Sequence, residues 1–294
     1  MDRTHPHPLP HSAQQGHHHH DHDHDHDTDG LAEILDLDAE VLAEHLGSLT
    51  AWLPLRTGPR RIVDLGCGTG TGTFALLERF PDAHVIAVDA SAALLERLRA
   101  KARENGLDER VSTVQADLDA PDWPDLGSPD LVWASASLHH LSHPDRALRT
   151  VRDALAPGGL FAVVELAGFP RFLPEDAPEG RPGLEDRCHA LTDRHQAEHT
   201  PHRGADWGPL LTAAGFTVEG RRTLAIDMAG SRSEAIGRYA LAGLRRIRHA
   251  TATGLHPEDL AALDQLLDTG SPHSLLRRGD LAVRTERTVW AARA

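Results

Sequence analysis

The residues that raise a chemical question first are three glycines and two acids. The apolar run Arg61-Ile62-Val63-Asp64-Leu65 ends in alternating glycines, Gly66, Gly68 and Gly70, and 19 residues after Gly70 a second apolar run, Val85-Ile86-Ala87-Val88, ends on Asp89. Glycines let a backbone approach a ligand closely. An acid at a second strand tip accepts hydrogen bonds from ribose hydroxyls, so this spacing reads as a strand–helix–strand unit for an adenosine cofactor. The dinucleotide fingerprint is not met, because its third glycine would fall on Thr71. The turn suits an adenosine ligand whose arm carries no phosphate, and a nicotinamide-dependent oxidoreductase is a poor reading.

A second group of reactive types lies downstream. Ser137-Leu138-His139-His140-Leu141-Ser142-His143 follows the apolar run 130–134, and Glu165 ends the apolar run 160–164. An imidazole there can take a proton from a hydroxyl or orient a carbonyl, so His139, His140 and Glu165 are the candidates for catalysis or substrate contact. Further along, Arg171, Arg181 and Arg187 have the chemistry to grip a carboxylate or phosphate. His195 and His199 stand at i, i+4, a spacing that suits a metal pair, but Gln196 occupies the position where a zinc-protease helix carries Glu. No metal ligand set is assigned there; a solvated lid helix is expected instead. Cys67 sits between two glycines as a small packing residue, and Asp64 could simply cap the turn.

These residues need elements to hold them. Strands are expected at 61–65, 84–88, 111–115, 130–134, 160–164, 216–223 and 283–292, with helices near 72–80, 91–105, 144–155 and 205–214 between them. Such alternation predicts an α/β fold: a Rossmann-like, mostly parallel sheet with helices on both faces and an antiparallel last strand. Residues 1–30 hold ten of the 22 histidines and read as a disordered His/Asp-rich tail, whose stretch 17–27 could bind divalent metal loosely. Residues 31–58 form a helical cover that ends at Pro54 and Gly58-Pro59, with Asp36 or Asp38 capping a break and Trp52 in reach of the glycine turn. The cofactor core spans 59–167, a lid insertion 168–204, and the C-terminal part of the sheet 205–294, with a helical insertion at 229–277. Insertions at strand tips are where an open α/β sheet usually grips substrate.

Motif by motif, the chain resembles the class I S-adenosylmethionine-dependent methyltransferases. Asp64-Leu65-Gly66-Cys67-Gly68-Thr69-Gly70 is similar to their motif I, Gln115-Ala116-Asp117-Leu118 to their adenine loop, Asp130-Leu131-Val132-Trp133-Ala134-Ser135 to their fourth-strand motif, and Leu155-Ala156-Pro157-Gly158-Gly159 to their turn into strand five. The resemblance covers most of 61–165, more weakly the rest, and it implies a seven-stranded sheet with the last strand antiparallel. It implies that S-adenosyl-L-methionine is the cofactor. Asp64 would then help orient its ammonium, Gly66, Gly68 and Gly70 would cradle it and Asp89 would hold its ribose. Asp117 and the Leu118 N–H would meet the adenine, and Ser135 would lie beside the transferable methyl. Methyl transfer is an in-line displacement, so alignment and a dry pocket matter most, and a base is needed only where the nucleophile carries a proton.

Composition narrows the partners. The net charge is −14 and Lys101 is the only lysine among the 30 basic residues. An acidic surface repels phosphate backbones and anionic lipid, so neither nucleic acid nor membrane is expected as a general partner. Two distant cysteines make no disulfide framework, no signal peptide or membrane-length apolar run is visible, and the cytoplasm is the expected location. The expected acceptor is a small molecule, methylated on O, N or C, in specialised metabolism. The alternatives are a protein or RNA acceptor, or a non-catalytic S-adenosylmethionine- or metal-binding protein. The Ala134-Ser135-Ala136-Ser137 sequence, lacking an asparagine–proline tetrad, counts against nucleobase amines. The sequence leaves a homodimer open.

Overall fold

The computed structural model describes residues 20–197, 200–229 and 233–294, and of residues 20–28 the backbone alone. In chain order it contains α1 (His20–Val41), α2 (Ala43–Trp52), β1 (Arg61–Leu65), α3 (Thr71–Arg79), β2 (His84–Asp89), α4 (Ala92–Glu104), β3 (Val111–Gln115) and β4 (Leu131–Ser135). There follow α5 (Pro144–Ala154), β5 (Leu160–Leu166), α6 (Leu184–Gln196), α7 (Trp207–Ala213), β6 (Thr217–Asp227), α8 (Glu234–Ala250), α9 (Pro257–Leu267) and β7 (Arg284–Arg293). The seven strands make one sheet in the order β3-β2-β1-β4-β5-β7-β6. β1 to β5 run parallel, and β7 lies antiparallel between β5 and β6. The expected fold class and its antiparallel last strand are present. The strand order turns between β1 and β4, which opens a crevice at their carboxyl ends where ligands bind in such sheets.

Strand side chains alternate between two buried faces. Ile62, Leu131, Trp133 and Leu160 pack under Leu46 and Leu49 of α2 and Leu76 of α3. Val63, Val132, Phe161 and Trp290 pack under Leu148 of α5 and Trp207 of α7. The two insertions build a third core of their own, where Leu184 and Cys188 of α6 meet Tyr239, Leu244 and Ile247 of α8 and Leu263 of α9. The helix expected to be a solvated lid is therefore packed: α6 buries Leu184, Cys188 and Leu191.

The N-terminal region departs from expectation. α1 starts at His20, so residues 20–30 are helical rather than disordered. Asp29, well inside α1, pairs with Arg97 of α4 at 2.7 Å. Residues 1–19 lie outside the described residues, and so do the side chains of the 17–27 metal tract. The break between α1 and α2 falls at Leu42, with no side-chain cap. Asp36 and Asp38 instead reach outward to partners far along the chain. Asp38 accepts from the Tyr239 hydroxyl at 2.5 Å and from Arg287 of β7 at 2.6 and 2.7 Å. Trp52 lies not at the glycine turn but against Gly220, where an added Cβ would stand 3.0 Å from its ring. No helix among the described residues is long and apolar enough to cross a membrane.

Candidate functional site

The glycine turn is fixed by its own backbone. The Gly66 and Cys67 N–H groups donate to the Val88 carbonyl at 2.8 and 3.0 Å, which bends the chain leaving β1 over the end of β2. Gly66 and Gly70 take φ values of +68° and +95°, which a side chain resists. Crowding adds to this: a Cβ on Gly66 would overlap the Ser137 side chain, and one on Gly70 would stand 2.7 Å from Phe74 and 2.9 Å from Leu98. Cys67 is buried beside Ala87, Leu95 and Leu98, and burial pushes its thiol well up, so it packs rather than reacts. Asp89 ends β2 half-buried; its Oδ2 accepts the Gly68 N–H at 2.9 Å and its Oδ1 the Ser91 N–H at 2.9 Å. A carboxylate has about four acceptor sites, so one bond on each oxygen leaves it able to take two hydroxyls more.

Asp64 has a different setting. It is 2% exposed, and its Oδ2 accepts the Thr73 hydroxyl at 2.7 Å in the first turn of α3. Burial, helped by the charge of Asp89, pushes its carboxyl up to about 7 even though Thr73 pulls the other way. A cation placed near this buried acid would favour its charged form. Asp117 is exposed, and its Oδ1 closes a turn with the Asp119 N–H at 2.8 Å, while Leu118 beside it is buried. Asp119, which the sequence reading passed over, accepts Ser142 N–H at 3.0 and 2.9 Å and His143 N–H at 3.0 Å. Those bonds hold its carboxyl below the usual range against the pull of burial, and they tie the loop after β3 to the histidine loop.

The histidine loop starts at the tip of β4. Ser135 is half-buried, Ala136 adopts φ +52°, and the Ser137 hydroxyl donates to the Leu65 carbonyl at 2.8 Å. A non-glycine residue in that conformation is costly and persists only where its surroundings fix it. His139 and Glu165 are each 2% exposed, with His139 Nδ1 and Glu165 Oε2 at 2.6 Å. Glu165 Oε1 also accepts the Leu138 and His139 N–H groups at 3.0 and 3.3 Å. A carboxylate only accepts, so Nδ1 carries the proton toward Glu165 and Nε2 is the ring nitrogen left to face a partner. The His140 ring lies 4.2 Å from that of His139. Partial burial, then His139, Arg203 and Arg246, hold His140 down to about 4, although some of its surface still faces solvent. His140 is thus neutral at ordinary pH.

The arginines expected to grip an anion are already occupied. Arg171 pairs with Asp186, Arg181 with Glu258 and Asp259, and Arg187 with Asp259 at 2.8 Å. They bolt α6 to α9 and the chain after β5. Arg203 and Arg246, which the sequence reading did not single out, are the cations felt at His140. Arg203 stacks on Phe169 at 4.3 Å and donates to Gln196. Nothing local in the sequence separates them from the other arginines. His195 lies 3.3 Å from the Ala250 carbonyl through Nδ1, and its expected partner His199 lies outside the described residues. No group of three or more metal-ligating side chains occurs among the described residues.

α1 roofs the cofactor side. A Cβ on Gly68 would stand 3.0 Å from Leu35. Asp36 accepts the Thr69 hydroxyl at 2.5 Å and pairs with Lys101 of α4, whose ammonium also reaches the Thr69 carbonyl at 3.3 Å.

Similarity to known proteins agrees with this arrangement. Residues 62–159 match the family model described as methyltransferase domain. The chain is 35% identical over 233 residues to trans-aconitate 2-methyltransferase of Mycolicibacterium gilvum, covering 76% of this chain and 82% of that protein. It is 35% identical over 191 residues to malonyl-[acyl-carrier protein] O-methyltransferase of Halorhodospira halophila, covering 63% of this chain and 60% of that protein. Among solved structures, a protein of Bacillus halodurans C-125 classed as a methyltransferase shares the fold at a TM-score of 0.52 and 19% identity, over 84% of this chain and 97% of that one.

Proposed function

Because this chain belongs to the class I S-adenosylmethionine-dependent methyltransferases, we propose that the crevice at the tips of β1, β2 and β4 holds S-adenosyl-L-methionine against a small acceptor seated beside β4 and β5. The acceptor takes the methyl on O, N or C and belongs to specialised metabolism. When bound, the cofactor supplies an electrophilic methyl on a sulfonium. Asp89 would accept its ribose hydroxyls, and Gly66, Gly68 and Gly70 would let the backbone close on it. Asp64 would favour its ammonium from behind Thr73. Asp117 and Leu118 would flank the adenine, and Ser135 the reacting carbon.

The observation that carries this reading is that Asp89 keeps acceptor capacity on both oxygens at the mouth of a turn too crowded for any side chain but hydrogen. On the acceptor side, Glu165 orients His139 so that Nε2 can take a proton from a neutral nucleophile and the resulting imidazolium is stabilised by Glu165. His140, held neutral, orients the acceptor rather than storing a proton. Where the nucleophile is already anionic, none of the three needs to act as a base.

Isothermal titration of the full chain with S-adenosylmethionine and S-adenosylhomocysteine tests the reading. Binding of both is expected, with Asp89→Ala weakening S-adenosylhomocysteine by about a hundredfold, the loss of two charge-assisted hydrogen bonds. No binding at millimolar ligand ends the proposal, and an unchanged affinity in Asp89→Ala removes the ribose assignment.

A further inference from the structure

The indole N–H of Trp133 lies in the core beneath the glycine turn with nothing to donate to. Trp133 is fully buried in β4, and its Nε1 has no hydrogen-bond partner among the described residues. Leaving a buried N–H unpaired is costly, so each such group calls for a reason. The sheet register pairs Trp133 with Asp64 of β1. Their side chains therefore rise from the same face of neighbouring strands, whose backbones run about 4.8 Å apart. Gly72 of α3 closes the space above them: a Cβ there would stand 2.6 Å from Trp133 Nε1 and 3.1 Å from Asp64 Oδ2. The N–H and the carboxyl thus reach toward one point under α3, and a side chain at position 72 would come between them. Thr73 is the donor to Asp64, through its hydroxyl at 2.7 Å and through its backbone N–H. Among the charged groups around this carboxyl, Asp89 of β2 opposes its ionisation, and Asp36 of α1 and Lys101 of α4 pair with each other at Thr69. Cys67 stays a thiol, and neither the first turn of α3 nor any position of β4 carries a titratable side chain.

We propose that Trp133 is a positioning residue for the cofactor's amino-acid arm, acting through Asp64: as Asp64 receives the ammonium and gives its proton to solvent, its carboxylate takes the Trp133 N–H as a further donor. An ionised carboxylate accepts at about four sites, so Thr73 alone leaves it short of partners in a buried setting. A donor from the neighbouring strand fixes the plane of the carboxylate, and with it the direction from which an ammonium is drawn. Gly72 is required by space, since a methyl group there would crowd both the indole and the carboxyl. This role rests on the assignment of S-adenosyl-L-methionine to the crevice.

The full chain labelled with ¹⁵N at its five tryptophans gives one indole N–H resonance for each, and Trp133→Phe identifies the one in question. That resonance is expected to shift as pH rises through about 7, where Asp64 ionises, and to shift the same way when S-adenosylhomocysteine is added below that pH. In Asp64→Asn it should stay in place across the pH series. Trp133→Phe should weaken S-adenosylhomocysteine about tenfold, the loss of one hydrogen bond to a charged group. The same variant should hold 5′-methylthioadenosine, which lacks the amino-acid arm, within about twofold of wild type. A tryptophan that only packs would weaken both ligands alike and would not titrate, and either result overturns the inference. Where Trp133→Phe fails to fold, the wild-type spectra decide: five indole resonances that move with neither pH nor S-adenosylhomocysteine also overturn it. Absence of S-adenosylhomocysteine binding by the wild type overturns the cofactor reading first, and a resonance that still titrates with Asp64 then keeps the Trp133–Asp64 pair without it.

Discussion

On one side of the crevice the functional groups are acids, and on the other they are histidines tied to a single acid. Asp64, Asp89 and Asp36 surround the glycine turn, each pinned by a hydroxyl or N–H within three residues of that turn or of its neighbouring strand tip. His139 and His140 stand in the loop after β4, and Glu165 of β5 holds His139 at 2.6 Å. A ligand with an ammonium arm would suit the first side, and an acceptor that must give up a proton would suit the second. Asp64 and Asp89 are held by groups of the glycine turn and its neighbouring helix and strand tips, 2 to 21 positions away. His139 is held by Glu165, 26 positions on and one strand across.

That difference decides how much could be read beforehand. The seven strands, the antiparallel last one and the glycine turn follow from local pattern, because their causes are local: apolar alternation, turn glycines and an acid at a strand end. The helical insertion at 229–277 follows for the same reason, and Gly254 and Pro257 fall where α8 gives way to α9. Arg203 and Arg246 carry no such mark among 30 basic residues, and Arg181 and Arg187 looked suited to grip an anion until Asp259 was found between them. Asp36 and Asp38 looked like caps because capping is the local use of an acid. Their partners Thr69, Lys101, Tyr239 and Arg287 lie 33 to 249 positions away.

Three perturbations test the contrast, in falling order of effect. Asp64 carries the largest. Its carboxyl is raised from 3.8 to about 7 in the folded chain, so the folded state holds the proton that the unfolded state releases. The stability from this site is complete below about pH 4 and is lost as pH rises through about 7. Asp64→Asn, which stays neutral, should melt above wild type at pH 8 by on the order of a few kcal/mol, and the gap should close as pH falls toward 4. Wild-type S-adenosylhomocysteine affinity should rise with pH through 7 while that of Asp64→Asn stays flat. Coincident melting curves at pH 8 would break the picture of a buried acid awaiting a cation.

Asp259 tests whether Arg181 and Arg187 belong to the scaffold. It is buried, and the Arg187 hydrogen bond, then Arg181, hold its carboxyl down to about 2 against burial. Asp259→Asn should lower stability by about 1–3 kcal/mol in urea unfolding, the loss expected for a buried charged hydrogen bond. The acceptor KM should stay within about twofold. A large KM change would return Arg181 and Arg187 to the acceptor site. The smallest effect is expected from deleting residues 1–19, which should leave turnover unchanged and reduce only the Ni²⁺ or Zn²⁺ retained on dialysis. Lost turnover would mean that the tail serves one of the two sides.

The roof over the cofactor has one more consequence, because the only ε-amine in the chain is Lys101, tied down between Asp36 and the Thr69 carbonyl. An acylating reagent aimed at lysine has one internal target, and it can react there only while the ammonium is released. The rate of single-site acylation therefore clocks how often the ion pair that joins α1 to α4 comes apart.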